Sequence, residues 1–105
     1  MKLSVVIPAH NEEGSVEATV RTLHEELRRE NIEHELVVVN DHSKDGTGGI
    51  LQKLSTEIPE LRVLNNEGPG GFGYAVRWGL DRFSGDRVAV MMADLSDSPK
   101  DLVRF

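Results

Sequence analysis

The sequence contains no cysteine, so its 105 residues can form neither a disulfide framework nor a thiolate site. No apolar run approaches the roughly 20 residues of a membrane-spanning helix, and the run at the amino terminus is too short for a secretory signal. Positive charge is also scarce, because 12 lysines and arginines stand against 18 aspartates and glutamates. The resulting net charge of −6 argues against a nucleic-acid partner. We therefore expect a cytoplasmic protein that does not bind nucleic acid.

What is present indicates one globular α/β domain, since 38% of the residues are apolar and 29% are charged. Short apolar runs, predicted to be strands, alternate with segments of helical periodicity. The predicted strands are residues 3–7, 35–39, 61–64 and 88–93, and the predicted helices are 15–30, 50–58, 73–83 and 100–105. We expect Pro8 to stop the first strand and Leu80 to face inward from the third helix. The alternation predicts a parallel sheet in the order 3-2-1-4, with helices on both faces.

The fourth apolar run, residues 88–93, is followed at once by two carboxylates, Asp94 and Asp97. An apolar run without alternation suits a strand buried on both faces of a parallel sheet. Ligands bind where such strands end, and two acids three residues apart at that edge can hold a divalent cation through oxygen. The alternative is that Asp94 only begins a loop and that Asp97 or Ser98 caps the next helix, with Pro99 in its first turn.

Three loops are expected to bring polar side chains to this edge. They are His10, Asn11 and Glu12 after strand 1, Asn40, Asp41 and Ser43 after strand 2, and Asp94, Ser96 and Asp97 after strand 4. The Asp41 carboxylate can accept hydrogen bonds from a uracil or guanine edge. A glycine-rich loop, residues 65–73, allows the backbone to approach a ligand and leads into a helix N-terminus, which favours anions. Arg77 is the cation best placed for a phosphate.

Structural explanations compete with each of these assignments. The glycine-rich loop can be a flexible surface loop, and His10 is interpreted as a loop residue rather than a catalytic base. Residues 45–47 are interpreted as a turn with a helix cap. Phe72 and Trp78 are interpreted as packing residues rather than as a platform for a sugar.

Four motifs, taken together, resemble the family 2 glycosyltransferases of the GT-A fold, and most closely the dolichol- or polyprenyl-phosphate mannosyltransferase branch. The motifs are, in order, V-V-I-P-A-H-N-E-E, L-V-V-V-N-D-H-S-K-D-G-T, G-F-G-Y-A-V-R-W-G-L and M-A-D-L-S-D-S-P. The resemblance implies a Rossmann-like sheet, the N-terminal half of a GT-A fold, and a nucleotide-diphospho-sugar donor that is GDP-mannose-like or a UDP-sugar. It implies nucleotide contacts from Pro8, Ala9, His10, Glu12 and Asp41, and a Mg²⁺ or Mn²⁺ ion held by Asp94 with Asp97.

The chain departs from this family in its metal-binding motif. Relatives read D-A-D-L-Q, whereas this chain reads M-A-D-L-S, so Met92 replaces the first carboxylate. A thioether is a poor ligand for a hard cation, which sets the metal affinity in question. The second loop also reads N-D where relatives usually read D-D, and Asp41 keeps the second position.

The general base and the acceptor site of such enzymes lie well beyond this motif, and the sequence ends about ten residues after Asp94. We therefore expect residues 1–105 to be the nucleotide-sugar-binding part of a larger domain, truncated at its C-terminal end and inactive alone. A lipid-phosphate or other acceptor, and any peripheral membrane attachment, would involve further segments. The cut would expose residues 88–92 as an apolar edge, which predicts a homodimer.

The competing class is a non-catalytic or nucleotidyltransferase-like α/β nucleotide-binding module. A nucleotidyltransferase would place a basic, glycine-rich loop after strand 1, where this chain has Asn11, Glu12 and Glu13. A receiver-like signalling domain would need an aspartate after strand 3, where this chain has Asn65 and Asn66. Neither alternative fits these loops well.

Overall fold

Four parallel strands form one sheet in the order β3-β2-β1-β4, in a computed structural model that describes residues 2–93. The elements in chain order are β1 (Leu3–Ala9), α1 (Val16–Arg29), β2 (His34–Asn40), α2 (Thr47–Glu57), β3 (Leu61–Asn65), α3 (Phe72–Leu80) and β4 (Arg87–Val90). This confirms the α/β class and the predicted strand order. The helix predicted for residues 100–105 lies outside the described residues.

Helices cover both faces of the sheet, as predicted. On one face, the apolar stripes of α1 and α2 pack against alternate residues of β1 and β2 in a cluster that includes Val20, Leu23, Leu27, Leu51, Leu54, Val5, Ile7, Leu36 and Val38. On the other face, Ala75 and Trp78 of α3 pack against Val6, Val37 and Val39. The two central strands are therefore buried on both sides, which explains why each appears in the sequence as a continuous apolar run.

Pro8 does not stop the first strand, as the sequence predicted, but lies inside β1. It acts instead on the neighbouring strand. The Val6 carbonyl accepts the Met91 N–H at 3.0 Å, and Pro8, the next β1 residue that faces β4, has no N–H to continue the ladder. The fourth strand consequently ends at Val90 rather than extending through residues 88–93.

β4 is an edge strand of the described sheet, and it is not buried on both faces as its apolar run suggested. Ala89 is buried against the core, whereas Val88 is 36% exposed and Val90 is 40% exposed. The exposed apolar edge expected from the sequence is therefore present among the described residues, and association through it stays a prediction.

α3 ends three residues earlier than predicted. Leu80 is 39% exposed, contrary to the inward orientation expected. The chain turns at this point, because the Arg82 N–H donates to the Gly79 carbonyl at 3.0 Å. None of the helices described between residues 2 and 93 has the length and apolar character needed to cross a membrane.

Candidate functional site

A cleft of about 450 Å³ opens where β1 and β2 end and the glycine-rich loop begins α3. It is lined by Pro8, Ala9, His10, Glu12, Asp41, His42, Gly70, Gly71, Phe72 and Met92. The first five of these residues were predicted from the sequence as nucleotide contacts. Arg77 is not among the lining residues and lies exposed on α3. Asp94 and Asp97 lie outside the described residues, as does Ser96.

Asp41 lies in the wall of the cleft and is only 5% exposed. Its Oδ1 accepts a hydrogen bond from Asn66 Nδ2 at 3.0 Å, and its Oδ2 accepts one from the Gly71 N–H at 2.9 Å. Its own N–H donates to the Ala9 carbonyl at 2.7 Å, which ties the end of β2 to the end of β1. A carboxylate oxygen has two lone pairs, so these two bonds leave one lone pair on each oxygen of this fixed group.

The glycine-rich loop is tied to the cleft rather than free on the surface. Asn66 holds its first turn, because its Oδ1 accepts the Gly68 N–H at 3.0 Å and its Nδ2 donates to the Pro69 carbonyl at 2.8 Å. Gly71 has a φ of 130°, a conformation that only glycine adopts without strain, and this turn aims its N–H at Asp41. The glycines therefore shape the cleft and are not a free surface loop.

The loop after β1 is fixed by the loop after β2. Asn11 adopts a left-handed φ of 52°, its N–H donates to Ser43 Oγ at 3.0 Å and its Oδ1 accepts the Lys44 N–H at 2.8 Å. The N–H of Glu12 donates to Thr47 Oγ1 at 2.8 Å. These bonds position the backbone of the first loop, and the Glu12 carboxylate accepts a hydrogen bond from Ser15 Oγ at 3.0 Å.

His10 makes a structural contact within the same pair of loops. Its Nδ1 lies 2.6 Å from the Asp41 carbonyl oxygen, which can only accept, so Nδ1 carries the proton. Nε2 is then left as the acceptor for Asn11 Nδ2 at 3.3 Å. This arrangement agrees with the interpretation of His10 as a loop residue.

Residues 45–47 form a turn that leads into α2. Asp45 Oδ1 accepts hydrogen bonds from the side-chain hydroxyl of Thr47 and from its N–H. The hydroxyl bond is the largest cause of a pKa of Asp45 below its ordinary value. The Asp45 carboxylate is therefore hydrogen-bonded within its own turn, and we assign it a structural role.

Three residues of the cleft were not predicted from the sequence as ligand contacts. Phe72 is 53% exposed and Met92 is 36% exposed, and together they give the cleft an apolar wall. Phe72 and Trp78 were both expected to be packing residues, and this is correct only for Trp78. Trp78 packs on the sheet beneath α3, and the Arg82 guanidinium lies 3.6 Å from its ring centroid. His42, also in the wall, has a left-handed φ of 54°. It is the second residue after β2, and a polar residue so close to a strand end is the signal that could have identified it.

The segment after β4 is anchored to α1. The hydroxyl of Thr19, which is fully buried, donates to the Ala93 carbonyl at 2.7 Å, and Ser15 donates to the same oxygen at 3.2 Å. Within residues 2–93, no group of three or more histidine, aspartate or glutamate side chains could hold a metal ion.

A second cleft of similar volume lies at the opposite edge of the sheet, where the strands begin. Glu35 lies in its wall, is 3% exposed, and accepts hydrogen bonds from Ser4 Oγ and the Ser84 N–H, both at 2.6 Å, and from Arg62 Nη1 at 3.0 Å. Burial raises the pKa of Glu35, but these donors outweigh burial and lower it to about 2. The carboxylate is therefore ionised and fully engaged within the fold.

Known protein families add to what the geometry indicates. The model of the family described as glycosyl transferase family 2 matches residues 4–105. The chain belongs to glycosyltransferase family 2. This confirms the family inferred from the four motifs and agrees with the strand order of the sheet.

Two sequence relatives and one solved structure illustrate the likeness to other glycosyltransferases. A dolichol-phosphate mannosyltransferase of Pyrococcus furiosus is 36% identical over 100 residues, which is 95% of this chain and 28% of the relative. A bactoprenol glucosyl transferase of Shigella phage SfV is 36% identical over 97 residues, which is 92% of this chain and 32% of the relative. The structure of mannosyltransferase PcManGT from Pyrobaculum calidifontis, in complex with GDP-Man and Mn²⁺, has a TM-score of 0.75 and 25% identity, over 88% of this chain and 27% of that one. The chain thus spans less than a third of each of these proteins.

Proposed function

We propose that the cleft at the ends of β1 and β2 binds the nucleoside diphosphate of a nucleotide-sugar, in the service of sugar transfer. The observation that carries this proposal is the Asp41 carboxylate, which is 5% exposed and held by two donors in the cleft wall. A buried, fixed carboxylate with one free lone pair on each oxygen suits the N–H groups of a nucleobase edge.

The apolar lining supports the same assignment. Phe72 and Met92 offer surface for the flat face of a base, while Pro8 and Ala9 contribute the end of a strand that is already fixed in the sheet. A volume of about 450 Å³ lies within the range of small-molecule sites, in which apolar walls surround a few oriented polar groups.

A diphosphate is negatively charged and the chain has a net charge of −6, so binding requires local positive charge at the cleft. The N-terminus of α3, which follows Gly71 directly, supplies a partial positive charge and free N–H groups. Asp94 is the residue that we propose would hold a Mg²⁺ or Mn²⁺ ion, with Asp97, and the complex of PcManGT with GDP-Man and Mn²⁺ supports the use of a divalent cation. A contact with Arg77 would require the ligand to extend along α3 beyond the cleft lining.

The acceptor is proposed to be a polyprenyl phosphate. Its basis is the names of the two relatives, a dolichol-phosphate mannosyltransferase and a bactoprenol glucosyl transferase. We further propose that the 105-residue chain binds its donor without transferring the sugar by itself, since it spans only 28% and 32% of the lengths of those relatives.

Calorimetric titration with GDP and with UDP, each with Mn²⁺ or with a chelator, tests the binding proposal. We expect at least one nucleoside diphosphate to bind, and Asp41→Asn to weaken it by about tenfold or more, because hydrogen bonds to a charged group are lost. Asp81→Asn makes the same change at an exposed position outside the cleft and should leave binding unchanged. Absence of binding at millimolar ligand, or equal affinities for both variants, would contradict the proposal.

A further inference from the structure

Asn66 follows β3 directly and is 4% exposed, and its side-chain amide is bonded at both ends. The nitrogen donates to Asp41 Oδ1 at 3.0 Å and to the Pro69 carbonyl at 2.8 Å, while the oxygen accepts the Gly68 N–H at 3.0 Å. The reverse orientation of the amide would place its oxygen against two other oxygens, so these partners settle which end is which. Its backbone N–H also donates to the Asn40 carbonyl at 3.1 Å, which joins the loop to β2.

These bonds connect Asn66 to both oxygens of Asp41. One oxygen takes the Asn66 amide directly, and the other takes the N–H of Gly71. The bonds from Asn66 to Gly68 and Pro69 fold the loop that carries Gly71 to that point. Both donors to the carboxylate therefore depend on a single side chain.

We propose that Asn66 is a positioning residue, which orients the Asp41 carboxylate for the nucleotide and holds the glycine-rich loop against the cleft. This inference rests on the proposed nucleotide site and assigns to it a residue that does not itself line the cleft. Without the Asn66 amide, the carboxylate would lose one donor directly and the support of the other, so that ligand binding would have to order the carboxylate and the loop together.

Asn66→Asp offers a specific test, because it keeps the shape of the side chain and places a second carboxylate about 3.0 Å from Asp41. Two carboxylates at that distance cannot both ionise without a large cost, so the pair takes up a proton as the pH falls. The shared proton restores the hydrogen bond to Asp41 but not the one to the Pro69 carbonyl. A merely structural role would lower stability without making ligand affinity depend on pH in this way.

The experiment measures affinity for GDP and UDP at pH 8 and at pH 5.5, each relative to the original protein at the same pH, together with the unfolding free energy of each variant. We expect Asn66→Asp to bind about tenfold or more weakly at pH 8 and to recover part of that loss at pH 5.5, because one proton replaces one of the two hydrogens that the amide donates. Asn66→Ala introduces no charge and keeps the test open if Asn66→Asp fails to fold. It should bind weakly at both pH values. Asn65→Asp adds the same charge at the exposed neighbouring position and should match the original protein.

The outcomes separate the two proposals. If the original protein binds a nucleoside diphosphate and both Asn66 variants bind it equally well at each pH, the positioning role is wrong and the nucleotide site stands. If Asn66→Asp weakens binding without recovery at low pH and Asn66→Ala does not, the effect is one of charge alone and the positioning role is again wrong. If the original protein binds neither nucleotide, the proposed function fails and the role of Asn66 fails with it.

Discussion

Replacing Glu35 by glutamine should strongly destabilise the fold, although Glu35 lies at the edge of the sheet remote from the proposed site. Glutamine has nearly the shape of glutamate, but it carries no charge and one of its two polar ends is a donor. In the native protein both carboxylate oxygens accept hydrogen bonds, from Ser4, Ser84 and Arg62. The variant would lose the charge that these donors stabilise and would leave the Arg62 guanidinium without its counterion.

The magnitude follows from the pKa of Glu35. Folding lowers this pKa from 4.5 to about 2. One pKa unit corresponds to about 1.4 kcal/mol, so the fold favours the ionised form over a neutral one by about 3 kcal/mol. Because the folded pKa is depressed, this contribution is complete above the unfolded pKa and is lost as the pH falls through the folded pKa.

Urea denaturation of the original protein and of Glu35→Gln, followed by far-UV circular dichroism from pH 7 to pH 3, tests this reasoning. We expect the free energies of unfolding to differ by about 3 kcal/mol at pH 7 and by less than half of that near pH 3, where the carboxylate is protonated in the unfolded state but still largely ionised in the native state. Glu57→Gln is the matched control. The Glu57 side chain is 42% exposed and pairs with Arg21 on the surface, so its loss should cost at most about 1 kcal/mol.

Two results would refute this account. One is a cost for Glu35→Gln at pH 7 no larger than that for Glu57→Gln. The other is a difference between the original protein and Glu35→Gln that stays constant down to pH 3, because a constant difference would have to come from packing rather than from ionisation.

Two further predictions concern close packing and the metal. A Cβ at Gly79 would lie 2.5 Å from Val6 Cγ1 and 3.2 Å from Val39 Cγ2, so Gly79→Ala should push α3 off the sheet and cost about 1–3 kcal/mol in urea denaturation. Gly49→Ala in α2, where a Cβ meets nothing within 4 Å, should instead stabilise by about 0.5–1 kcal/mol, and equal effects at both sites would contradict the packing argument. Met92→Asp supplies a hard oxygen ligand and should tighten Mn²⁺ binding about tenfold in the presence of nucleotide. An unchanged Mn²⁺ titration would argue against a metal beside this residue.

The strands were predictable from the sequence where burial alone decides them. β2 and β3 were placed to within one residue at each end, because apolar runs with polar flanks are the direct mark of buried parallel strands. β1 and β4 were misjudged at their carboxyl ends. The effect of Pro8 depends on which neighbouring strand its nitrogen faces, and that is a matter of register that no local pattern contains.

The candidate site was predictable in part, for a similar reason. Asp41 could be identified because a carboxylate directly after a buried strand must lie near the ligand-binding edge of a parallel sheet. Asn66 occupies the same position after β3, but its role arises from hydrogen bonds within a loop that turns at Gly71. Phe72 lines the cleft because α3 begins at that residue, and helix starts are poorly specified where glycines precede them.

Pro8 marks the point at which the pairing of β1 and β4 ends. β1 and β4 run side by side up to the point where Pro8 has no N–H to donate, and β4 ends there. The chain that follows is held by the hydroxyls of Ser15, which precedes α1, and of Thr19 on α1, both of which donate to the Ala93 carbonyl. Pro8 and Met92 both line the candidate cleft, so this part of its wall is positioned by backbone hydrogen bonding as well as by side-chain packing. Apolar substitutions in the core would change the packing but not the N–H that Pro8 lacks. The pairing of β1 and β4 would therefore still end at the same residue.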